Sequence, residues 1–133
     1  MKITVFTILI FLFLSNSSVV DCSKLKFDGE ERAYLKTSNN LFNGKCESFH
    51  QNGVKAIENN YKNGLLEGVC YMWHPNGKFQ LKSQYLNGKR IGKFISYYAN
   101  GKIESETEYG DNERMLKMIG YKETGEISIE IGE

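Results

Sequence analysis

The stretch "HPNGK" at 74–78 reads as a tight turn, because Asn-Gly is the strongest short-range hairpin signal. Near copies stand at 50–54, "HQNGV", at 98–102, "YANGK", and at 122–126, "KETGE". Their glycines, Gly53, Gly77, Gly101 and Gly125, are spaced by 24 residues, and Gly29 in "FDGEE" stands one period earlier. A single turn needs only one such glycine. A register kept over the whole chain indicates a repeat, and self-similarity at a fixed period decides the fold before any local signal does.

Aligning 42–65, 66–89, 90–113 and 114–133 extends the pattern. Gly44, Gly68 and Gly92 share a position, as do the aromatics Phe49, Trp73, Tyr97 and Tyr121, and the tyrosines Tyr61, Tyr85 and Tyr109. Gly64 and Gly88 share a third glycine position, with Asn40 and Asn112 at its outer copies. Asparagine is the residue that best follows glycine into the left-handed region.

Each unit reads as two strands. "FQLKSQY" (79–85) alternates, with Phe79, Leu81, Ser83 and Tyr85 on one side. "IESETEY" (103–109) sets Ile103 and Tyr109 against Glu104, Glu106 and Glu108, and Ile127, Ile129 and Ile131 alternate in the last copy. Period two marks half-buried antiparallel strands. In the first arms, Tyr71 with Trp73, Ile95 with Tyr97 and Ile119 with Tyr121 face one way. Cys46, Cys70, Phe94 and Met118 face the other. A type I′ turn at each Asn-Gly of the first series closes a hairpin, and the second series, as in "KNGLLEG" (62–68), leads into the next. The expected fold is all-β: an elongated, twisted antiparallel meander of hairpins with a 24-residue repeat. A lone hairpin is marginal in water, so the copies stabilise one another by stacking.

The N-terminus reads differently. Met1-Lys2 is followed by twelve uncharged residues, "ITVFTILIFLFL", and then by the small and polar "SNSSVVDC". This order is that of a secretory signal peptide over 1–21, with a cut after Ser17 as one choice. The apolar run is short of the roughly 20 residues of a membrane span, although an uncleaved anchor remains the other reading. Export to the periplasm, the outer membrane or the exterior of the cell follows. Residues 22–40 form a degenerate first repeat and 41–133 the main array. Cys22 invites comparison with a lipidated cysteine, but "VVDC" puts Asp21 where that motif wants a small residue.

A cut after Ser17 removes Lys2 as the only charge and leaves 16 Lys+Arg and 16 Asp+Glu. No net charge draws it to nucleic acid, whose affinity rests mainly on neutralised phosphates. No catalytic constellation, cofactor motif or metal-ligand set is present in the sequence. His50 and His74 share a position about two strand spacings apart, and nothing nearby completes a ligand set. Cys46 and Cys70 are separated in the same way, roughly 9–10 Å. That exceeds the reach of a disulfide, so both are expected as small apolar fillers. Cys22 precedes the array and is the one cysteine free to reach either. The aromatic stripe Phe49, Trp73, Tyr97 and Tyr121 either packs the sheet or forms a partner-binding strip.

"GVCYMWHPNGKFQLKSQYLNGKRIG" (68–92) and "GKFISYYANGKIESETEYGDN" (92–112) resemble the MORN repeat. More closely they resemble its variant in the bacterial YwqK family of antitoxins. The resemblance implies scaffolding or binding without catalysis. Its implied partners are another protein, with a glycan or lipid head group as further classes. Two functions follow: an exported interaction module, or an antitoxin or immunity protein that neutralises a cognate toxin.

Overall fold

The computed structural model describes residues 18–132. The apolar segment at 3–14 lies outside them. Thirteen strands are present among the described residues: β1 (Ser18–Asp21), β2 (Leu25–Phe27), β3 (Ala33–Leu35), β4 (Gly44–Phe49), β5 (Lys55–Lys62), β6 (Leu65–Leu66), β7 (Gly68–Trp73), β8 (Phe79–Leu86), β9 (Lys89–Arg90), β10 (Gly92–Tyr97), β11 (Ile103–Tyr109), β12 (Met115–Tyr121) and β13 (Ile127–Gly132). The helical content described is two three-residue 3-10 turns, Cys22–Lys24 and Asp111–Glu113. Eleven strands form one sheet in the order β1-β4-β5-β7-β8-β10-β11-β12-β13, with β6 on β5 and β9 on β8. The expected meander is therefore the observed fold, with each repeat contributing two adjacent long strands.

The turns differ from the expectation. In the first series only glycine adopts positive φ: 82° at Gly53, 83° at Gly77, 92° at Gly101 and 93° at Gly125. The Gly53 amide donates to the His50 carbonyl at 2.9 Å, and the His50 amide donates to Val54 at 2.8 Å. The same pair of bonds recurs at His74, Tyr98 and Lys122. These are three-residue loops, a type I turn followed by a left-handed glycine. Type I′ turns sit in the second series instead, where Asn63 and Gly64 (50° and 77°) and Asn87 and Gly88 (50° and 79°) both have positive φ. Lys62 pairs with Leu65 and Leu86 with Lys89 across these two-residue loops. At the outer copies, Asn112 is left-handed as expected, whereas Asn39 takes that role in place of Asn40. Gly29 has no positive φ; Glu31, at 59°, makes that turn.

A second periodic feature was not legible. Opposite each stripe aromatic the register slips by one residue: Phe49 faces Lys55, Trp73 faces Phe79, Tyr97 faces Ile103 and Tyr121 faces Ile127. The extra residue is Ala56, Gln80, Glu104 or Ser128, again 24 apart. A bulge re-aims the side chains beyond it. Phe79 and Ile103 therefore leave the face of Leu81, Ser83 and Tyr85 and join the face of Trp73 and Tyr97, because residues directly opposite share a face. By the same slip Ile127 parts from Ile129 and Ile131.

The sheet is a single layer with a cysteine face and an aromatic face. The cysteine face is covered at its N-terminal end. The β2–β3 hairpin lays Leu25 and Ala33 over Phe42, Cys46 and Tyr61, and all five are buried. Asp28 ties this hairpin's loop: its carboxylate accepts from the Glu30 and Arg32 amides, from Arg32 Nε and from the Tyr34 hydroxyl. Backbone and side-chain hydrogen bonds from Arg32 outweigh desolvation and hold its pKa at about 2. Ser18–Asp21, part of the span read as a signal peptide, is strand β1. It runs parallel to β4 and sets Val20 beside Cys46.

That pairing corrects the cysteine expectation. Cys22 and Cys46 are disulfide-bonded with Cα atoms 4.9 Å apart, since one strand spacing rather than two separates them. Cys46 is thus a cross-link and not a filler, and the thiol of Cys22 is not available for lipidation. Cys70 is the buried free thiol that was expected, and burial raises its pKa. Cys46 and Cys70 are not joined.

Two outcomes follow for stability. Gly77→Val should cost on the order of 1–3 kcal/mol in denaturant unfolding, because valine resists positive φ. The site itself has room, since a Cβ at this position would lie 4.0 Å from its nearest neighbour, Val54 Cγ1, so an unchanged midpoint would contradict the turn. Alkylation without reductant followed by peptide mass mapping should find Cys22 linked to Cys46 and Cys70 alkylated only after unfolding. Cys22→Ser should lower stability by about 3 kcal/mol, as removal of a cross-link spanning a few tens of residues does.

Candidate binding face

Trp73, Tyr97 and Tyr121 of the stripe are each held through the backbone by a side chain of the preceding repeat. His50 Nε2 lies 2.8 Å from the Trp73 carbonyl, and His74 Nε2 lies 2.8 Å from the Tyr97 carbonyl. A carbonyl only accepts, so the proton sits on Nε2 in both rings. Tyr98, in the same repeat position, donates its hydroxyl to the Tyr121 carbonyl at 2.6 Å. The turn asparagines form a parallel row. Asn52 Nδ2 donates to the Pro75 carbonyl at 2.7 Å, Asn76 to Ala99 at 2.6 Å, and Asn100 to the Glu123 carboxylate at 3.3 Å. Each asparagine Oδ1 also accepts from the amide two residues on, at Val54, Lys78 and Lys102. Asparagine therefore serves this series through its side chain, and its backbone stays out of the left-handed region. Thr124 gives the last copy the intra-turn bond alone, at 3.5 Å to the Glu126 amide.

The stripe is not uniform. Trp73 stacks on Phe79 with centroids 5.5 Å apart, Tyr71 lies 5.7 Å from both, and Phe79 is 6.3 Å from Tyr97. The structure thus joins Trp73 to Tyr97 through Phe79, which the bulge delivers. Phe49 and Tyr121 stand outside this cluster, and Phe49 is 57% exposed. Period-two alternation assigned Phe79 to the other side, so the cluster was missed; no sequence signal marks the bulge, because Ala56, Gln80, Glu104 and Ser128 share no side-chain chemistry.

Lysines frame the aromatic cluster. Lys82 Nζ lies 4.1 Å from the Phe79 ring centroid and 5.9 Å from that of Tyr97. Lys55 Nζ lies 5.7 Å from the Trp73 ring and is also bonded to Glu47 and Glu58, both at 2.8 Å. Lys45 reaches the other Glu58 oxygen at 2.6 Å. Burial pushes the Glu58 carboxyl upward, but hydrogen bonds from Lys45 and Lys55 outweigh it and hold the group below its ordinary range. Bonds to Glu47 and then Glu58 raise Lys55. Lys82 is different: among the described residues no carboxylate lies within ion-pair distance of it. Beyond Tyr97 the same face becomes a shallow depression of about 260 Å³ between Lys93, Glu106, Glu108, Lys117 and Ile119. Its charges alternate in sign, so the acidic row there is interrupted by lysines. The second arms point Glu106 and Glu108 to this face together with Ile103.

Residues 42–63, 66–87 and 90–111 each match one family model, that of the MORN repeat variant. The chain carries three MORN repeats. Neither a search of curated proteins nor one of solved structures found a match. MORN repeats are binding and scaffold units for proteins or membrane lipids, and the copies here place their hairpin turns along one side of the array. The fourth copy, 114–133, lies outside the matched residues, and it is the one with Leu116 at the position of Gly44, Gly68 and Gly92.

The charged cluster gives a pH-dependent outcome. Glu58 has a lowered folded pKa, so its contribution is present above the unfolded carboxylate pKa and is lost as pH falls below it. Glu58→Gln should cost about 1–2 kcal/mol at pH 7, and the gap to the parent should close toward pH 3. Urea unfolding of both proteins at several pH values reads this directly.

Proposed function

We propose that this chain is a non-enzymatic, exported interaction module that binds a protein partner across the aromatic face. The observation that carries the reading is the Tyr71, Trp73, Phe79 and Tyr97 cluster with the uncompensated Lys82 at its centre. Tyrosine and tryptophan in a packed patch ringed by polar groups are the make-up of binding hot spots. The repeat ladder fixes these rings on a rigid sheet, which lowers the ordering cost of association. A partner segment with an aromatic or aliphatic side chain beside a carboxylate satisfies both the rings and the Lys82 ammonium. Glycans, which also stack on such rings, are the second class.

Export is supported by two features. The N-terminal segment has the order of charge, apolar core and small residues of a signal peptide. Disulfides such as Cys22–Cys46 persist mainly in oxidising compartments. An antitoxin or immunity role within the YwqK family uses the same face for one cognate toxin. A cytoplasmic antitoxin fits an exported, cross-linked chain poorly, which is why the interaction module is preferred.

The test is affinity capture from the envelope fraction with the parent chain, Trp73→Ala/Lys82→Glu, and Met72→Ala on the opposite face. The expected result is one partner retained by the parent and by Met72→Ala and lost by the double variant. Equal retention by all three would remove the aromatic face from the reading.

A further inference from the structure

The two ends of the sheet are built differently. At the N-terminal end β1 covers the outer edge of β4, and the Cys22–Cys46 bond pins it there. At the other end β13 pairs with β12 and with no other described strand. All six of its residues are exposed, including Ile127, Ile129 and Ile131 at 56%, 46% and 44%. Long apolar edge strands are templates for strand pairing, and natural proteins ordinarily blunt them with charge, proline or bulges. The bulge of β13 lies at Ser128, and the stretch after it is regular.

The preceding repeats state what pairs with this edge. β5, β8 and β11 hold the same repeat position as β13, and each is covered on its outer side by the next first arm. The position of Glu130 is that of Glu58, Lys82 and Glu106, which face Tyr71, Ile95 and Ile119. Ile129 corresponds to Ile57, Leu81 and Ser105, which face Met72, Ser96 and Gly120. Ile131 and Gly132 correspond to Thr107 and Glu108, which face Met118 and Lys117. The strands that complete a second arm thus read Val-Cys-Tyr-Met, Lys-Phe-Ile-Ser and Lys-Met-Ile-Gly at 69–72, 93–96 and 117–120. A lysine at the first of these positions lies diagonally across from Glu130. It would flank that carboxylate opposite Lys117, which bonds it at 3.0 Å from the position that Lys45 holds beside Glu58.

We propose that the outer edge of β13 is a strand-addition site for an extended segment of another protein that carries lysine, an apolar residue, isoleucine or an aromatic residue, and a small residue in succession. Main-chain hydrogen bonds supply affinity in this mode and alternate side chains supply selection. On the cysteine face the second and fourth residues of the segment cover Ile131 and Ile129. On the aromatic face the first and third lie beside Glu130. In a second folded copy β4, β7, β10 and β12 are each flanked on both sides within the described fold, and β13 of that copy, which is open, carries a glutamate and no lysine over 127–132, so it lacks the sequence that this edge selects.

The probe is a fluorescent peptide with the sequence of residues 90–102, "RIGKFISYYANGK", added to the full chain, with a peptide of the same residues in scrambled order as control. Saturable binding at least ten-fold tighter than the control is expected, together with slowed hydrogen exchange at the Glu130 amide. Asn60 and Gln84, at the position of Gly132, offer their carbonyls outward to Glu67 and Ile91. Residues two apart point their backbone groups the same way, so the Glu130 amide also faces outward. Proline is tolerated where an edge amide faces solvent. Glu130→Pro should then weaken peptide binding ten-fold or more with little change in melting temperature. Ile131→Lys, which puts a charge on the edge without touching the backbone, should do the same. Equal binding of the scrambled peptide, binding unaffected by both variants, or no saturable binding would each overturn the proposal. So would a Glu130 amide already slow to exchange in the chain alone, or a doubling of mass through this edge that excludes the peptide.

Discussion

The structure depends on a hydrogen bond that leaps one repeat. Each turn sends a side chain to a main-chain carbonyl 23 residues ahead: His50 to Trp73, His74 to Tyr97, Tyr98 to Tyr121, and the asparagine row alongside. Antiparallel pairing alone sets which strands are neighbours. It does not set how far one hairpin slides past the next, and polar two-sided strands are prone to slip. A bond from each loop to the next repeat fixes that register at one end of every hairpin. At the other end, the Gly64 and Gly88 amides donate to the Phe42 and Leu66 carbonyls, both at 2.8 Å. Each hairpin is thus tied to its neighbour at both ends.

This arrangement explains how a single-layer sheet with so small a buried core is organised. The fully buried apolar residues gather under the N-terminal hairpin, around Phe42 and Cys46. Toward β13 the sheet grows more exposed, and repeat-to-repeat bonds take over from core burial. Stability in such an array is a sum of neighbour terms, and the disulfide strengthens the first of them. The same exposure leaves two faces and one edge available. The aromatic face concentrates its rings in the middle repeats, away from the capped end, and the edge lies at the opposite extreme from the disulfide.

How much was legible depends on range. The 24-residue period, the all-β class, the hairpin positions and the facing of Cys70, Phe94 and Met118 were visible because each repeats a local pattern. The aromatic stripe was visible as a position and not as a site. Trp73 and Tyr97 come together only through Phe79, and Phe79 reaches that face through a bulge that strict alternation does not foresee. His50 and His74 read as polar residues beside turns. Their role needs a carbonyl from the next hairpin, which only the assembled sheet supplies.

The sequence by itself determined the repeat, since glycine, asparagine and aromatic residues recur wherever local backbone geometry demands them. It left two choices to the tertiary structure. Asn-Gly is compatible both with a two-residue loop, where both residues are left-handed, and with a three-residue loop, where only glycine is. The register of the flanking strands decides between them, placing the first at Asn63 and Asn87 and the second at Asn52, Asn76 and Asn100. The partner of Cys46 was the other choice. Spacing along the array excluded Cys70, but nothing local states that 18–21 returns to lie parallel to β4. Parallel pairing joins segments distant in sequence and carries no turn signal, so only the folded chain brings Cys22 within 4.9 Å of Cys46.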